Sequence, residues 1–170
     1  NTVSLWFRTT ADGGILSVNQ NTQGGSNDRN IYIQGGDVYS RIYNTEVIST
    51  SGTNYADGNW HHLVRSYGSG AHRLYIDGAE DPAGPVLESE GITTNDSDVL
   101  IGENQERPGR HWDGMIDEMR IEKVYRDANW IRLCYQNQRA AQTLVKYSAG
   151  AEQSAAENYN DWTSSRLCTL

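Results

Sequence analysis

What constrains this chain most is its rhythm of short alternating segments, broken at close intervals by turn residues. In Val3-Ser4-Leu5-Trp6-Phe7-Arg8, the residues Val3, Leu5 and Phe7 share one face, because successive side chains of a strand point to opposite sides. Gly14 to Val18 reads as a second strand, and Asn19 to Arg29 as a polar loop without periodicity. Ile31 and Ile33 then alternate with Tyr32 and Gln34. After a Gly35-Gly36 turn, Val38, Ser40 and Ile42 alternate with Tyr39, Arg41 and Tyr43. Trp60 to Tyr67 and His72 to Asp77 form a hairpin pair, and Asp77-Gly78 is a two-residue turn signal, since glycine tolerates the positive φ of a tight turn. A Pro/Gly/acid-rich connection from Ala79 to Asp98 leads to the last strands, Val99 to Gly102 and Met115 to Glu122. Such a series predicts an all-β, two-sheet antiparallel sandwich.

One helix is expected, from Asp127 to Gln138. Asp127 suits the N-cap, and Trp130, Ile131, Cys134 and Tyr135 fall on one helical face. Gln142 to Ser148 reads as a closing strand. The domain is thus assigned to residues 1–148, and 149–170 to a polar tail that packs on the domain or extends from it.

Charge narrows the function. The 170 residues hold 22 acidic and 14 basic side chains, a net charge of −8, whereas a phosphate-tracking surface needs clustered Lys and Arg. Nucleic acid is therefore not an expected partner, and no apolar run is long enough to span a membrane. The cysteines, Cys134 and Cys168, are either two thiols or one disulfide that pins the tail. An opening at Asn1 without Met or signal peptide leads to the expectation of a processed or excised piece.

Asn59-Trp60-His61-His62-Leu63-Val64, followed by Leu74-Tyr75-Ile76-Asp77-Gly78, resembles the signature of laminin-G-like jelly rolls of the concanavalin A-like superfamily. Val99-Leu100-Ile101-Gly102, Gly114 to Ile121 and the Arg126 to Gln138 helix are similar to further motifs of the bacterial members. The resemblance covers Val3 to Tyr147 and implies a two-sheet jelly roll, secreted or at the cell surface. Bacterial members are often appended to large polysaccharide-degrading or adhesive proteins. Family domains usually begin with a strand ahead of the position of Val3, and this sequence lacks it.

Asp117 is the most informative single residue. In a regular strand it faces the core beside Met119 and Ile121, and a buried carboxylate needs a metal, hydrogen bonds or an arginine unless a bulge turns it outward. The resemblance implies that the matching Asp helps to hold a structural Ca²⁺. A second candidate Ca²⁺ site combines Asp28, in the Asn27-Asp28 loop, with Glu103, Asn104 and Glu106, because Ca²⁺ takes six to eight hard oxygens. A similar acidic-amide run binds Ca²⁺ beside the ligand in the pentraxin branch. Solvated polar loops are the alternative.

Sugar recognition needs aromatics that stack on C–H faces and planar polar groups for hydroxyls. Tyr32, Tyr39, Arg41 and Tyr43 share the non-core face of two adjacent strands, and Arg107, Arg110, His111 and Trp112 lie beside the candidate Ca²⁺ loop. Trp6 and Trp60 read as packing residues, and Trp130 as the residue that docks the helix. Glu118 and Glu122 have the spacing of a glycosidase pair but sit in the family's structural strand, and His61 and His62 point to opposite faces. No nucleophile–base constellation is apparent.

The expected function is therefore a non-catalytic carbohydrate-binding module that uses Ca²⁺, with a polysaccharide or glycan as partner. The alternative is an adhesive or structural module contacting protein, either other domains of a parent secreted protein or neighbouring copies. A small polysaccharide-active enzyme is the third reading.

Overall fold

The alternating segments pair into two antiparallel sheets. The computed structural model describes residues 1–19, 27–42, 45–49, 52–87, 98–103, 111–141 and 144. Its strands are β1 (Thr2–Thr9), β2 (Gly13–Asn19), β3 (Asn27–Gln34), β4 (Asp37–Ile42), β5 (Thr45–Ile48), β6 (His61–Gly68), β7 (Ala71–Ile76), β8 (Ala79–Glu80), β9 (Val86–Leu87), β10 (Asp98–Ile101) and β11 (Gly114–Glu122). The first sheet runs β11-β1-β6-β7-β8, with β9 also on β7, and the second runs β10-β2-β3-β4-β5. This is the sandwich that the alternation called for.

Register explains which side chains meet. Leu5 lies opposite Leu63, and Leu63 opposite Ile76, so one face of the first sheet presents a continuous aliphatic row. Ile31, Ile33 and Val38 do the same on the second sheet, and the two rows enclose the core. Full burial of a Leu, Ile or Phe side chain is worth about 1.5–3 kcal/mol, so this interface dominates stability. Tight turns close the hairpins: β6 and β7 join through Ser69-Gly70, β7 and β8 through Asp77-Gly78, all four with positive φ.

The helix α1 (Ala128–Gln138) lies on the outer face of the first sheet. Asp127 caps it by accepting a hydrogen bond from the Trp130 N–H at 2.9 Å, and Ile131 is buried against Val64 and Tyr75 with Trp130 packed alongside. At the other end Tyr135 stacks on Trp6, whose indole N–H donates to Gln138 Oε1 at 2.7 Å. Asp127→Ala should cost about 1 kcal/mol, read as a lower midpoint in urea; an unchanged midpoint would show that the cap is energetically idle. No helix among the described residues is long and apolar enough to cross a membrane.

Four details differ from the sequence reading. Asn27 to Arg29 belong to β3, not to a loop, because Asn27 and Arg29 pair with Asn19 and Val18 of β2. The strand β5 was not expected, and it exists because Val47 meets Ser40 on the buried side of β4. The connection after Ala79 contains two short strands, β8 and β9. In β11, the register against β1 shifts between Ser4 and Trp6, and Glu118 takes φ +51°. This bulge inserts an extra residue and reverses which side chains point inward. Ile116 and Met119 reach the core, while Asp117 is exposed. The closing strand expected at Gln142 to Ser148 and the tail lie outside the described residues, apart from Leu144.

Candidate functional site

With α1 on the first sheet, no helix among the described residues lies on the outer face of the second sheet, although Ser17, Asn30 and Tyr32 on that face are buried and its accessible part is on β4 and β5. Ladder pairing sets two rows across it. Ser17, Asn30, Arg41 and Glu46 form one; Tyr32, Tyr39 and Ile48 form the other. Tyr32 and Tyr39 stack with ring centroids 4.8 Å apart and planes 10° from parallel. Tyr32 is buried, and its hydroxyl donates to Glu46 Oε1 at 2.5 Å. Ser17 Oγ donates to Asn30 Oδ1, also at 2.5 Å, with both residues fully buried.

This geometry refines the expected platform. Tyr39 has Tyr32 on one side and Ile48 on the other, so it offers an edge and a hydroxyl instead of an open ring face. Half-buried Arg41 and exposed Glu46 stand beside it. The surface therefore suits hydrogen bonding to a polyhydroxylated ligand, with a narrow aromatic ridge for C–H contact. Ser17, Asn30 and Glu46 had not been singled out; only the register across β2 to β5 aligns them with Arg41. Tyr43 lies outside the described residues.

The second half of the expected sugar site does not join this face. Trp112 packs into the end of the core, edge-on to Phe7 at 6.0 Å and 81°. A Cβ on Gly13 would come within 3.3 Å of its ring. These contacts make it a packing residue at the edge of the core instead of an open stacking anchor. His111 is exposed and bridges to Glu103, while Arg107 and Arg110 lie outside the described residues. Trp60, in contrast, is not packed away: 40% of it is exposed.

The burial argument for a metal at Asp117 also falls, since the bulge at Glu118 turns that carboxylate out to accept the Glu118 N–H at 2.8 Å. Glu103 is half-buried; Asn104 and Glu106, and the side chain of Asp28, lie outside the described residues. Among the described residues no three His, Cys, Asp or Glu side chains converge as a metal site would require. Cys134 is on the buried face of α1, and Cys168 lies outside the described residues. Glu118 and Glu122 are ion-paired with Arg120 and Arg126.

His61 forms a clasp at the end of the sandwich. Its Nδ1 is 2.9 Å from Asp77 Oδ2, and its Nε2 is 3.2 Å from Asp57 Oδ1. Carboxylates only accept, so both ring nitrogens act as donors and the charged ring is favoured. Burial opposes that charge, but Asp77 and then Asp57 outweigh it, and the pKa is raised. Asp57 is lowered, first by the Asn59 backbone N–H and then by the Asn59 side chain. The clasp ties Asp57 to the Asp77-Gly78 turn.

Residues 1–132 match the sequence profile of the family described as the concanavalin A-like lectin/glucanases superfamily, of laminin G type. The chain belongs to that superfamily. No curated protein matches it in sequence. Among solved structures, the mouse laminin alpha1 chain, domains LG4-5, is 21% identical with a TM-score of 0.55, over 75% of this chain and 36% of that one. This laminin G-type domain thus spans about a third of that structure. The CBM40 of the Ruminococcus gnavus IT-sialidase, bound to alpha2,3 sialyllactose, is 15% identical with a TM-score of 0.64, over 79% of this chain and 80% of that one. Trypanosoma rangeli sialidase is 14% identical with a TM-score of 0.56, but the match spans only 22% of the enzyme. At these identities the likeness is one of fold.

Proposed function

We propose that this domain is a non-catalytic glycan-binding module of an extracellular protein, and that the outer face of its second sheet is the ligand surface. The observation that carries the reading is the cluster of Tyr39, Arg41 and Glu46 on β4 and β5, at the accessible part of the second sheet's outer face. Sugar hydroxyls need donors and acceptors at fixed positions, and a strand ladder holds such groups about 5 Å apart. The similarity to a carbohydrate-binding module over four-fifths of that chain supports the reading.

The test is a glycan array, run with and without Ca²⁺, followed by titration calorimetry on whichever glycan is retained. Tyr39→Ala and Arg41→Ala should each weaken binding by about 1–3 kcal/mol. Both should leave the melting temperature close to that of the parent, because neither side chain is in the core. Parent-like affinity in both variants, or an array with no glycan retained, would defeat the proposal. A gain in binding on adding Ca²⁺ would place an ion beside the ligand; equal binding after chelation would remove Ca²⁺ from the account.

A further inference from the structure

The two ends of α1 are held to the first sheet by different means. The N-terminal end is hydrogen-bonded to the strands. Thr2 Oγ1 donates to the Val124 carbonyl at 2.8 Å and accepts the Arg126 N–H at 3.0 Å, and Ser66 Oγ donates to the Arg126 carbonyl at 3.0 Å. The C-terminal end rests on rings. Tyr135 stacks on His62 and on Trp6, with centroids 6.0 and 5.8 Å away, and His62 and Trp6 are themselves 5.1 Å apart. Gly78 completes the seat, since a Cβ there would come within 2.7 Å of the Tyr135 ring. His62 is 2% exposed, and its Nδ1 has no hydrogen-bond partner among the described residues. A neutral ring fits such a site, whereas an imidazolium would bury a charge with an unpaired N–H.

The groups around His62 sharpen that conflict. Burial is the largest influence and pushes its pKa down to about 4, with Asp77 opposing and Arg120 of β11 assisting. Asp77, in the turn after β7, is committed elsewhere: Oδ1 accepts the His62 backbone N–H and Oδ2 meets His61 Nδ1, both at 2.9 Å. Arg120 is paired with Glu118, β1 contributes the neutral indole of Trp6, and Arg139 stands over the Tyr135 ring at 5.8 Å. We propose that α1 carries an acid-operated latch: protonation of His62 frees the last turn of the helix, Tyr135 to Gln138, from Trp6 and Gly78, while the N-terminal end stays fixed on Thr2 and Ser66. A single turn without packing does not hold its hydrogen bonds in water, so the freed amides exchange. Ile131, buried against Val64 and Tyr75, keeps the middle of the helix in place.

Amide exchange of the full chain at pH 7 and pH 5, corrected for the intrinsic rates, reads the latch. Protection at Tyr135 to Gln138 should fall about twentyfold, the ratio set by 6.5 for the freed ring and about 4 for the seated one. Amides of Leu63 to Arg65, in the middle of the sheet, should stay better protected than the last turn at both pH values. His62→Phe, which keeps a ring in the stack, should abolish the fall. His72→Gln should leave it unchanged, because His72 lies on the other face of the sheet, bonded to Ser40. The His72→Gln comparison decides the matter even where His62→Phe does not fold. Protection of the last turn that does not respond to pH would overturn the proposal. So would a fall that matches that of the strand amides, or one that His72→Gln reduces, since both mark opening of the whole domain instead of the helix end.

Discussion

Lowering the pH from 7 to 5 is expected to remove about 4 kcal/mol of stability through two buried histidines, about 2 kcal/mol from each, an effect that His61 partly offsets. His62 lies between Trp6 and Tyr135 under α1, and burial pushes it down to about 4 against a partly compensating Asp77. His72 sits between the sheets with its Nε2 3.0 Å from Ser40 Oγ, and burial, followed by Arg65, takes it to about 3. A depressed folded value means that the unfolded chain binds the proton first. Stability is therefore full above pH 6.5, falls progressively below it, and stops falling once both rings are protonated in the folded state. His61 has the opposite sign. Its raised value makes its contribution complete below pH 6.5 and lost as pH rises through the folded value. Urea titrations at pH 7, 6 and 5 read the slope directly, and His72→Gln should flatten it by about half. A midpoint that does not move over this range would mean that the histidines are not buried as neutral rings. Since the domain's whole stability is expected to be about 5–15 kcal/mol, the loss is a large share of it.

Replacing Trp112 by Ala should cost about 3 kcal/mol and leave glycan affinity intact at temperatures where the variant is folded. The ring packs edge-on against Phe7 and over Gly13, so its removal leaves a gap at the end of the core. Tyr39→Ala should do the reverse, costing less than about 1 kcal/mol of stability while weakening binding. The pair separates packing from recognition when calorimetric melting and glycan titration are run on the same samples. If Trp112→Ala melts like the parent and fails to bind, the assignment of the two aromatics is inverted.

These contrasts show where sequence reasoning reached and where it stopped. Alternation places residues on faces, and it did so correctly for Leu5, Ile31, Val38 and Tyr39, because a strand leaves each side chain only two directions. The Asp127 cap and the buried stripe of Ile131 and Cys134 were legible for the same reason, being consequences of local backbone geometry. The superfamily, too, was carried by local motifs such as Trp60 to Val64 and Leu74 to Gly78. What alternation does not contain is what comes to lie over a face. Tyr32 and Tyr39 have the same phase, yet Tyr32 is buried and Tyr39 is not. Trp112, expected in the sugar site, packs against the core, whereas Trp60, expected to pack, is 40% exposed. At Glu118 a single inserted residue shifted the phase, so that Asp117 turned outward and Ile116 inward. The outer strands are the plainest case. Val99 and Ile121 have the pattern of core residues, and by that pattern they face the core; they are exposed because no third strand lies beside β10 or β11 among the described residues. Local sequence determines the direction of a side chain, whereas coverage depends on pairs of segments far apart in the chain, and only the tertiary structure decides that.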